Sequence, residues 1–167
     1  MGTLEVRSTS GAATKRVAAR LALELVAPVT LALRGDLGMG KTTFVQGLVA
    51  ALPGGESLRV QSPTYALART YPCSPAVHHL DLYRLEDESA AYDYGLTEML
   101  AEPDAIACVE WPEHGEGILP ADRVDIEFQG KARRRRITIR FADGKVRNPT
   151  RLNEILQAAL QNPRKKH

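Results

Sequence analysis

A glycine-rich segment dominates this sequence: residues 35–42 read GDLGMGKT and match the pattern G-x-x-x-x-G-K-[ST] at every required position. Glycines in such a loop let backbone N–H groups close around phosphates, the lysine reaches the β and γ oxygens, and the final hydroxyl binds Mg²⁺. We therefore predict a nucleotide site formed by Gly35, Asp36, Leu37, Gly38, Met39, Gly40, Lys41, Thr42 and Thr43. The alternative is an ordinary glycine-rich turn between two elements.

The flanking segments agree with a nucleotide site. Residues 29–33 form a short apolar run suited to a buried strand, and residues 43–49 have apolar spacing typical of a helix. The phosphates would therefore meet the N-terminus of a helix, where free backbone N–H groups favour anions.

Length and composition limit the class of protein. A chain of 167 residues that is 44% hydrophobic is large enough to bury one core, so we expect a single domain over 1–160 and a disordered basic tail over 161–167. Two cysteines do not make a disulfide framework. The chain has no stretch of membrane-spanning length and no basic region followed by an apolar one at its start, so we expect a cytoplasmic protein that does not bind membranes.

The net charge of +2 hides a strong asymmetry. Residues 1–128 carry 10 basic and 18 acidic side chains, whereas residues 129–167 carry 12 basic and 2 acidic ones. The densest run is Arg133-Arg134-Arg135-Arg136. Such a segment can bind nucleic acid or an acidic partner, or it can be a solvated edge strand whose charges discourage aggregation.

The remaining pattern predicts an α/β fold. We expect strands at 4–8, 123–128 and 136–141, helices over about 12–26 and 150–160, and one or two short helices within 86–101. Segments 65–71 and 77–82, separated by PCSP, predict an antiparallel hairpin, so the sheet should be mixed.

A phosphate-binding loop needs an acidic group that holds the metal or orients a water, usually at the C-terminal end of a strand. Asp81 lies in HLDLYR, where alternation places His79, Asp81 and Tyr83 on one strand face, and Glu110 ends an apolar run. Asp81 could instead form a surface ion pair with Arg84. Glu110 could instead be a helix cap or a local turn group.

Four motifs in this order make the chain resemble a known family. GDLGMGKTTF (35–44), SPTY (62–65), HLDLYRL (79–85) and VEWPE (109–113) together look like the TsaE (YjeE) family, the ATPase component of bacterial tRNA threonylcarbamoyladenosine biosynthesis. The resemblance implies a P-loop NTPase-like fold with a mixed β-sheet flanked by helices, and Mg²⁺-ATP as the ligand. It also implies two protein partners, the threonylcarbamoyl transferase and its non-catalytic paralogue.

The resemblance also assigns roles to individual residues. Lys41 would bind phosphate, Thr42 and Glu110 would bind Mg²⁺, and Asp81 would serve the metal or its water shell. Thr64 would belong to a loop that senses the γ-phosphate, Trp111 would flank the nucleotide, and Thr14 would contact adenine. From the residues alone, Trp111 could equally be a core aromatic and Thr64 a turn residue before a strand.

Other nucleotide-binding classes fit less well. A GTPase is disfavoured because the chain has no N-K-x-D stretch to recognise guanine, and a small-molecule kinase would need an arginine-bearing lid. The stretch 84–103 is acidic, although the arginine run could supply such a lid. No arginine is identified as placed to assist phosphoryl transfer. We therefore expect slow ATP hydrolysis by the chain alone and faster hydrolysis when the protein partners complete the site. The basic C-terminal segment could in addition contact tRNA, directly or indirectly.

Overall fold

The computed structural model describes residues 1–131 and 134–161. Within them the chain forms, in order, β1 (Gly2–Ser8), α1 (Gly11–Glu24), β2 (Val29–Arg34), α2 (Lys41–Ala51), β3 (Ala68–Tyr71), β4 (Val77–Asp81), α3 (Glu88–Asp93), α4 (Leu96–Ala101), β5 (Ile106–Glu110), β6 (Val124–Lys131), β7 (Arg134–Phe141) and α5 (Leu152–Gln161). Two single 3₁₀ turns, Pro112–His114 and Glu116–Ile118, follow β5.

The strands form one mixed sheet in the order β1-β7-β6-β2-β5-β4-β3. Strands β4, β5, β2 and β6 run parallel, β3 is antiparallel to β4, and β7 is antiparallel to β6 and β1. The predicted α/β class, the mixed sheet and the β3–β4 hairpin are confirmed. Because β2, β4 and β5 are parallel neighbours, the loops that follow them meet at the carboxyl ends of these strands.

Apolar side chains cover both faces of the central strands. On one face, Leu21 of α1, Leu48 of α2 and Leu156 of α5 belong to the larger core cluster. On the other face, Leu96 of α4 packs in a second cluster with Leu80 of β4. Strand β2 is buried over nearly its whole length, as expected for a central parallel strand with helices on both sides.

Two sequence-based expectations differ from the structure. The strand predicted from Tyr65 begins only at Ala68, because residues 64–67 form a turn in which Leu67 has a left-handed backbone, with φ of 63°. The interpretation of the arginine run as an edge strand is wrong for Arg135 and Arg136, since β7 pairs there with both β1 and β6, whereas Arg134 pairs with β6 alone. The edges of the sheet are β1 and β3.

Some predictions fall outside what the structure tests. Arg133 and the predicted tail lie outside the described residues, except for Gln161, the last residue of α5. None of the helices in the described part of the chain is both long and apolar enough to cross a membrane.

Candidate functional site

The loop between β2 and α2 adopts a conformation that depends on its glycines. Gly35, Gly38 and Gly40 all have positive φ, at 145°, 77° and 100°, a region that side chains disfavour. Gly40 caps α2, so the free N–H groups of the first helical turn begin at Lys41. The loop therefore presents backbone donors and the positive end of a helix dipole to the space in front of it.

Lys41 is folded into this loop and is only 4% exposed. Its Nζ donates to the backbone oxygen of Gly35 and to that of Asp36 at 3.0 Å, and it lies 3.9 Å from the ring centroid of Trp111. Burial lowers the pKa of Lys41 from its ordinary value, while carboxylates nearby, led by Glu110, act in the opposite direction. The ammonium is thus held by neutral carbonyl oxygens that an anionic ligand could replace.

Two buried carboxylates end adjacent parallel strands. Asp81, at the end of β4, is opposite Glu110, at the end of β5, and the two residues are 2% and 3% exposed. The hydroxyl of Thr42 donates to Oε1 of Glu110 at 2.8 Å. The interpretation of Glu110 as a helix cap or turn group is wrong, because Glu110 is the last residue of β5 and its side chain reaches α2.

Asp81 holds the loop that contains the SPTY motif. Both Ser62 and Thr64 donate their hydroxyls to Oδ2 of Asp81, the latter at 2.8 Å, and the backbone N–H of Tyr83 donates to Oδ1 at 3.0 Å. The alternative ion pair between Asp81 and Arg84 does not form. The guanidinium of Arg84 instead lies over a tyrosine ring at 4.8 Å.

Trp111 belongs to the wall of the site rather than to the core. Its backbone is left-handed, with φ of 56°, an uncommon conformation for a bulky residue. Its ring packs against that of Tyr83, with centroids 4.9 Å apart, and that of His114, at 6.2 Å. The core-aromatic alternative for Trp111 is therefore wrong, and Lys41 sits against this aromatic wall.

These groups surround one cleft of about 360 Å³. It is lined by residues 37–43 together with Ser62, Thr64, Asp81, Tyr83, Glu110, Trp111 and Arg135. Two residues of the predicted phosphate loop lie elsewhere. Gly35 and Asp36 line a separate pocket behind the loop and reach the cleft only through Lys41.

Thr14 also lies outside the cleft lining. It is fully buried, and its hydroxyl bonds to Ser8 and to the backbone oxygen of Ser10. Its methyl group lies 3.9 Å from the position that a Cβ on Gly40 would take. Thr14 therefore supports the loop from beneath, and its contact with adenine stays a prediction.

Arg135 is the member of the cleft that the sequence did not single out. Its Nε is 3.7 Å from the position of a Cβ on Gly40, and this atom is buried with no hydrogen-bond partner among the described residues. A larger cavity of about 490 Å³, whose lining includes residues 7–9 and 134–136, adjoins the cleft at Arg135. An arginine is therefore placed at the phosphate loop, contrary to the sequence-based view that none could be identified.

The donor set fits Mg²⁺ bound together with phosphates. Magnesium in such sites keeps several waters and takes one or two carboxylates plus substrate oxygens, rather than a cage of protein ligands. Thr42 and Glu110 offer an adjacent hydroxyl and carboxylate, and Asp81 offers a second carboxylate beside them. The described residues hold no cluster of three or more His, Cys, Asp or Glu side chains arranged for a metal.

Comparisons with known proteins agree with this geometry. Residues 8–137 match the family described as threonylcarbamoyl adenosine biosynthesis protein TsaE. The relative of that name from Haemophilus influenzae is 40% identical over 104 residues, which cover 60% of this chain and 64% of the relative. The Bacillus subtilis protein is 36% identical over 127 residues, covering 75% of this chain and 77% of the relative.

A solved structure shares the whole fold. The crystal structure of Bacillus subtilis YdiB superposes with a TM-score of 0.69 and 27% sequence identity, covering 93% of this chain and 95% of that one. The family match includes the phosphate loop, both carboxylates and Arg135. With this match, these relatives and the shared fold, the chain belongs to the TsaE family of tRNA threonylcarbamoyladenosine biosynthesis proteins.

Proposed function

We propose that this chain binds Mg²⁺-ATP in the cleft of residues 37–43 and hydrolyses it slowly, as the ATPase component of tRNA N6-threonylcarbamoyladenosine (position 37) biosynthesis. The observation that carries the proposal is the 2.8 Å bond between Thr42 and Glu110 inside a cleft that also holds Lys41. It joins the hydroxyl at the start of α2 to a carboxylate at a strand end, the pair that a phosphate-bound Mg²⁺ requires.

Nucleotide binding would change the partners of Lys41. Its ammonium would leave the carbonyl oxygens of Gly35 and Asp36 for the β and γ oxygens, while N–H groups at the start of α2 bind the phosphates. Arg135, beside Gly40, supports this by adding a second cation at the loop. Thr42 and Glu110 would hold Mg²⁺, and Asp81 would bind its water shell. The bound ion would neutralise charge on the phosphates.

The loop containing Ser62 and Thr64 would sense the γ-phosphate. Both hydroxyls now donate to one oxygen of Asp81, so a γ-phosphate or its water shell can compete for the same donors. Hydrolysis transfers the γ-phosphoryl group to water and breaks its bond to the bridging oxygen of ADP. The products leave the loop free to return to Asp81, which gives the site two states that partners can distinguish.

Exposed apolar side chains at the mouth of the cleft support docking by the proposed transferase and its paralogue. Leu37, in the phosphate loop, and Tyr65, directly after Thr64, are each 87% exposed, and Tyr83 is 54% exposed. A partner seated there would contact both the loop that holds phosphate and the loop that senses it. We therefore propose that hydrolysis resets this assembly rather than driving the threonylcarbamoyl transfer itself.

Direct contact with tRNA remains part of the proposal. Arg134 and Arg136 are exposed on β7, and Arg136 is 3.4 Å from Glu5, which neutralises part of that charge.

We also propose a cytoplasmic location, supported by the family's role in tRNA modification and by two buried free thiols, Cys73 and Cys108.

The test is the Mg²⁺-ATP hydrolysis rate of the purified chain, alone and with the transferase and its paralogue. We expect a rate below about 10⁻² per second for the chain alone and strong stimulation in the mixture. Equal slow rates in both would refute the partner-dependent ATPase. That result would favour the alternative of a small-molecule kinase, in which Arg135 would serve the transferred phosphoryl group.

A further inference from the structure

His79 is fully buried in the middle of β4 and contacts the proposed metal ligand. Its Nε2 is 2.8 Å from Oε1 of Glu110. In the parallel pairing of β4 with β5, His79 is opposite Cys108, so its ring reaches diagonally to a residue two positions further along. The backbone pairing of the two strands therefore fixes the relative positions of ring and carboxylate.

The same oxygen of Glu110 is held from a second direction. Thr42, at the start of α2, also donates to Oε1 at 2.8 Å. Among the hydrogen bonds of the described residues, none goes to Oε2 of Glu110. Two donors from different elements thus orient the carboxylate and leave its other oxygen available for a ligand.

The second ring nitrogen of His79, Nδ1, makes no hydrogen bond to the described residues. This nitrogen is buried, and burying an unpaired polar atom is unfavourable. Because a carboxylate only accepts hydrogen bonds, Nε2 carries the proton in this contact. The single polar contact of this buried ring is therefore the one to Glu110.

The neighbouring histidine shows the difference. His78 is also buried on β4, but its Nδ1 bonds to Thr70 at 2.9 Å and its Nε2 bonds to Glu102 at 2.6 Å. Both of its nitrogens are satisfied, and its carboxylate partner ends α4 rather than lining the cleft. His78 links elements of the fold, whereas His79 acts on the site.

We propose that His79 is a positioning residue that fixes the orientation of Glu110 and thereby sets the response of the nucleotide site to Mg²⁺. It touches neither nucleotide nor metal and acts only through Glu110. The inference rests on the proposed binding of Mg²⁺-ATP. It predicts a specific loss on removing Nε2–H: weaker coupling between Mg²⁺ and nucleotide, with the binding of nucleotide itself retained.

The test compares ATP affinity with Mg²⁺ and with EDTA, measured by the fluorescence of Trp111, which is the single tryptophan and lies against Lys41. In His79→Leu we expect the affinity in EDTA to stay within about twofold, and the gain from Mg²⁺ to shrink by about 10- to 100-fold, as for other residues that orient metal ligands. His79→Gln, whose amide can replace Nε2–H, should recover most of the gain.

His78→Leu is the matched control, because it removes another buried ring from the adjacent position. It should keep the wild-type gain from Mg²⁺ even if it lowers the melting temperature. A full gain in folded His79→Leu, or an equal loss in His78→Leu, would overturn the positioning role alone. Wild-type protein that binds no ATP with or without Mg²⁺ would instead refute the proposed function, and this inference with it.

A measurement on the wild-type chain covers the case in which His79→Leu does not fold. Side-chain nitrogen NMR should find His79 with its proton on Nε2, and this resonance should shift when Mg²⁺ is added to the ADP-bound protein. The resonance of His78 should move much less. A proton on Nδ1 of His79, or no shift at its Nε2 on adding Mg²⁺, would contradict the proposal.

Discussion

The hydroxyl of Thr42 donates to Oε1 of Glu110 at 2.8 Å across 68 residues of sequence. Thr42 is in the first turn of α2, directly after the phosphate loop, and Glu110 is the last residue of β5, a parallel neighbour of β2. This bond preserves the spacing of a hydroxyl and a carboxylate that a small cation can bridge, so each should be replaceable only at a cost to metal-dependent chemistry.

Glu110→Gln should therefore separate binding from hydrolysis. The amide keeps the size of the side chain but removes the negative charge, so nucleotide affinity in EDTA should change little. The hydrolysis rate measured with the partners should fall by at least about tenfold. Glu56→Gln, a change at an exposed acid that does not line the cleft, is the control. If Glu110→Gln hydrolyses ATP at the wild-type rate, Asp81 becomes the acidic group on which the reaction depends.

Lys41→Ala should weaken ATP binding directly. A charge-assisted hydrogen bond contributes about 1.5–3 kcal/mol, which corresponds to about 10- to 100-fold in affinity. Calorimetric titration with ATP measures the loss, and Lys131→Ala, a change at an exposed cation of β6, should leave the affinity unchanged. Wild-type affinity in Lys41→Ala would refute the assignment of the phosphate site.

Thr64→Ala should reduce discrimination between ATP and ADP. If the hydroxyl that now bonds to Asp81 turns to the γ-phosphate, its removal weakens ATP binding by up to about tenfold and leaves ADP binding nearly unchanged. Thr64→Ser keeps the hydroxyl and should behave like the wild type. Titrations with ADP and a non-hydrolysable ATP analogue give the ratio. A wild-type ratio in Thr64→Ala would assign this residue to the turn alone.

Gly47→Ala should destabilise the fold although α2 gains helix propensity. A Cβ at Gly47 would lie 2.4 Å from the backbone oxygen of Lys15, so α1 and α2 could not keep their present separation. Overpacking of this kind costs about 1–3 kcal/mol. Gly11→Ala at the start of α1, where the nearest atom is 3.6 Å away, should be neutral or stabilising. Urea unfolding of the two variants checks the contrast, and equal stabilities would contradict it.

The sequence predicted what depends on local patterns and missed what depends on register. The phosphate loop and the carboxylates Asp81 and Glu110 could be located because each lies at the end of a recognisable strand. Arg135 could not be distinguished within its run. Arg135 pairs with Ser8 of β1 on one side and with Gly130 of β6 on the other. Only this register places its side chain on the face of the sheet that α1 and α2 cover.

The role of His79 was hidden for a similar reason. Alternation predicted that it shares a face with Asp81, but its partner is set by the parallel pairing of β4 and β5, which is a long-range property. The late start of β3 has a different cause. Leu67 has a left-handed backbone, so the chain turns before it can pair, and Ala68 is the first residue of β3.

An ion-pair network behind the phosphate loop should make stability depend on pH in the acid range. Arg34 bonds to Glu116 at 2.5 Å, and Arg123 bonds to the other oxygen of the same carboxylate. Burial alone would raise the pKa of Glu116, but the hydrogen bonds and charges of both arginines together lower it below its ordinary value of 4.5. The folded state therefore holds this proton less tightly than the unfolded state.

The sign of the effect follows from that difference. The contribution of Glu116 to the free energy of unfolding is complete above its ordinary pKa and is lost as the pH falls through the lowered value. Glu116→Gln should be less stable than the wild type near pH 7, by up to about 1 kcal/mol because the group is half exposed, and the difference should shrink as the pH falls through the lowered pKa. Urea unfolding across this range, with Glu56→Gln as the control, measures it. A difference that stays constant with pH would show that packing of this side chain, rather than its charge, stabilises the loop.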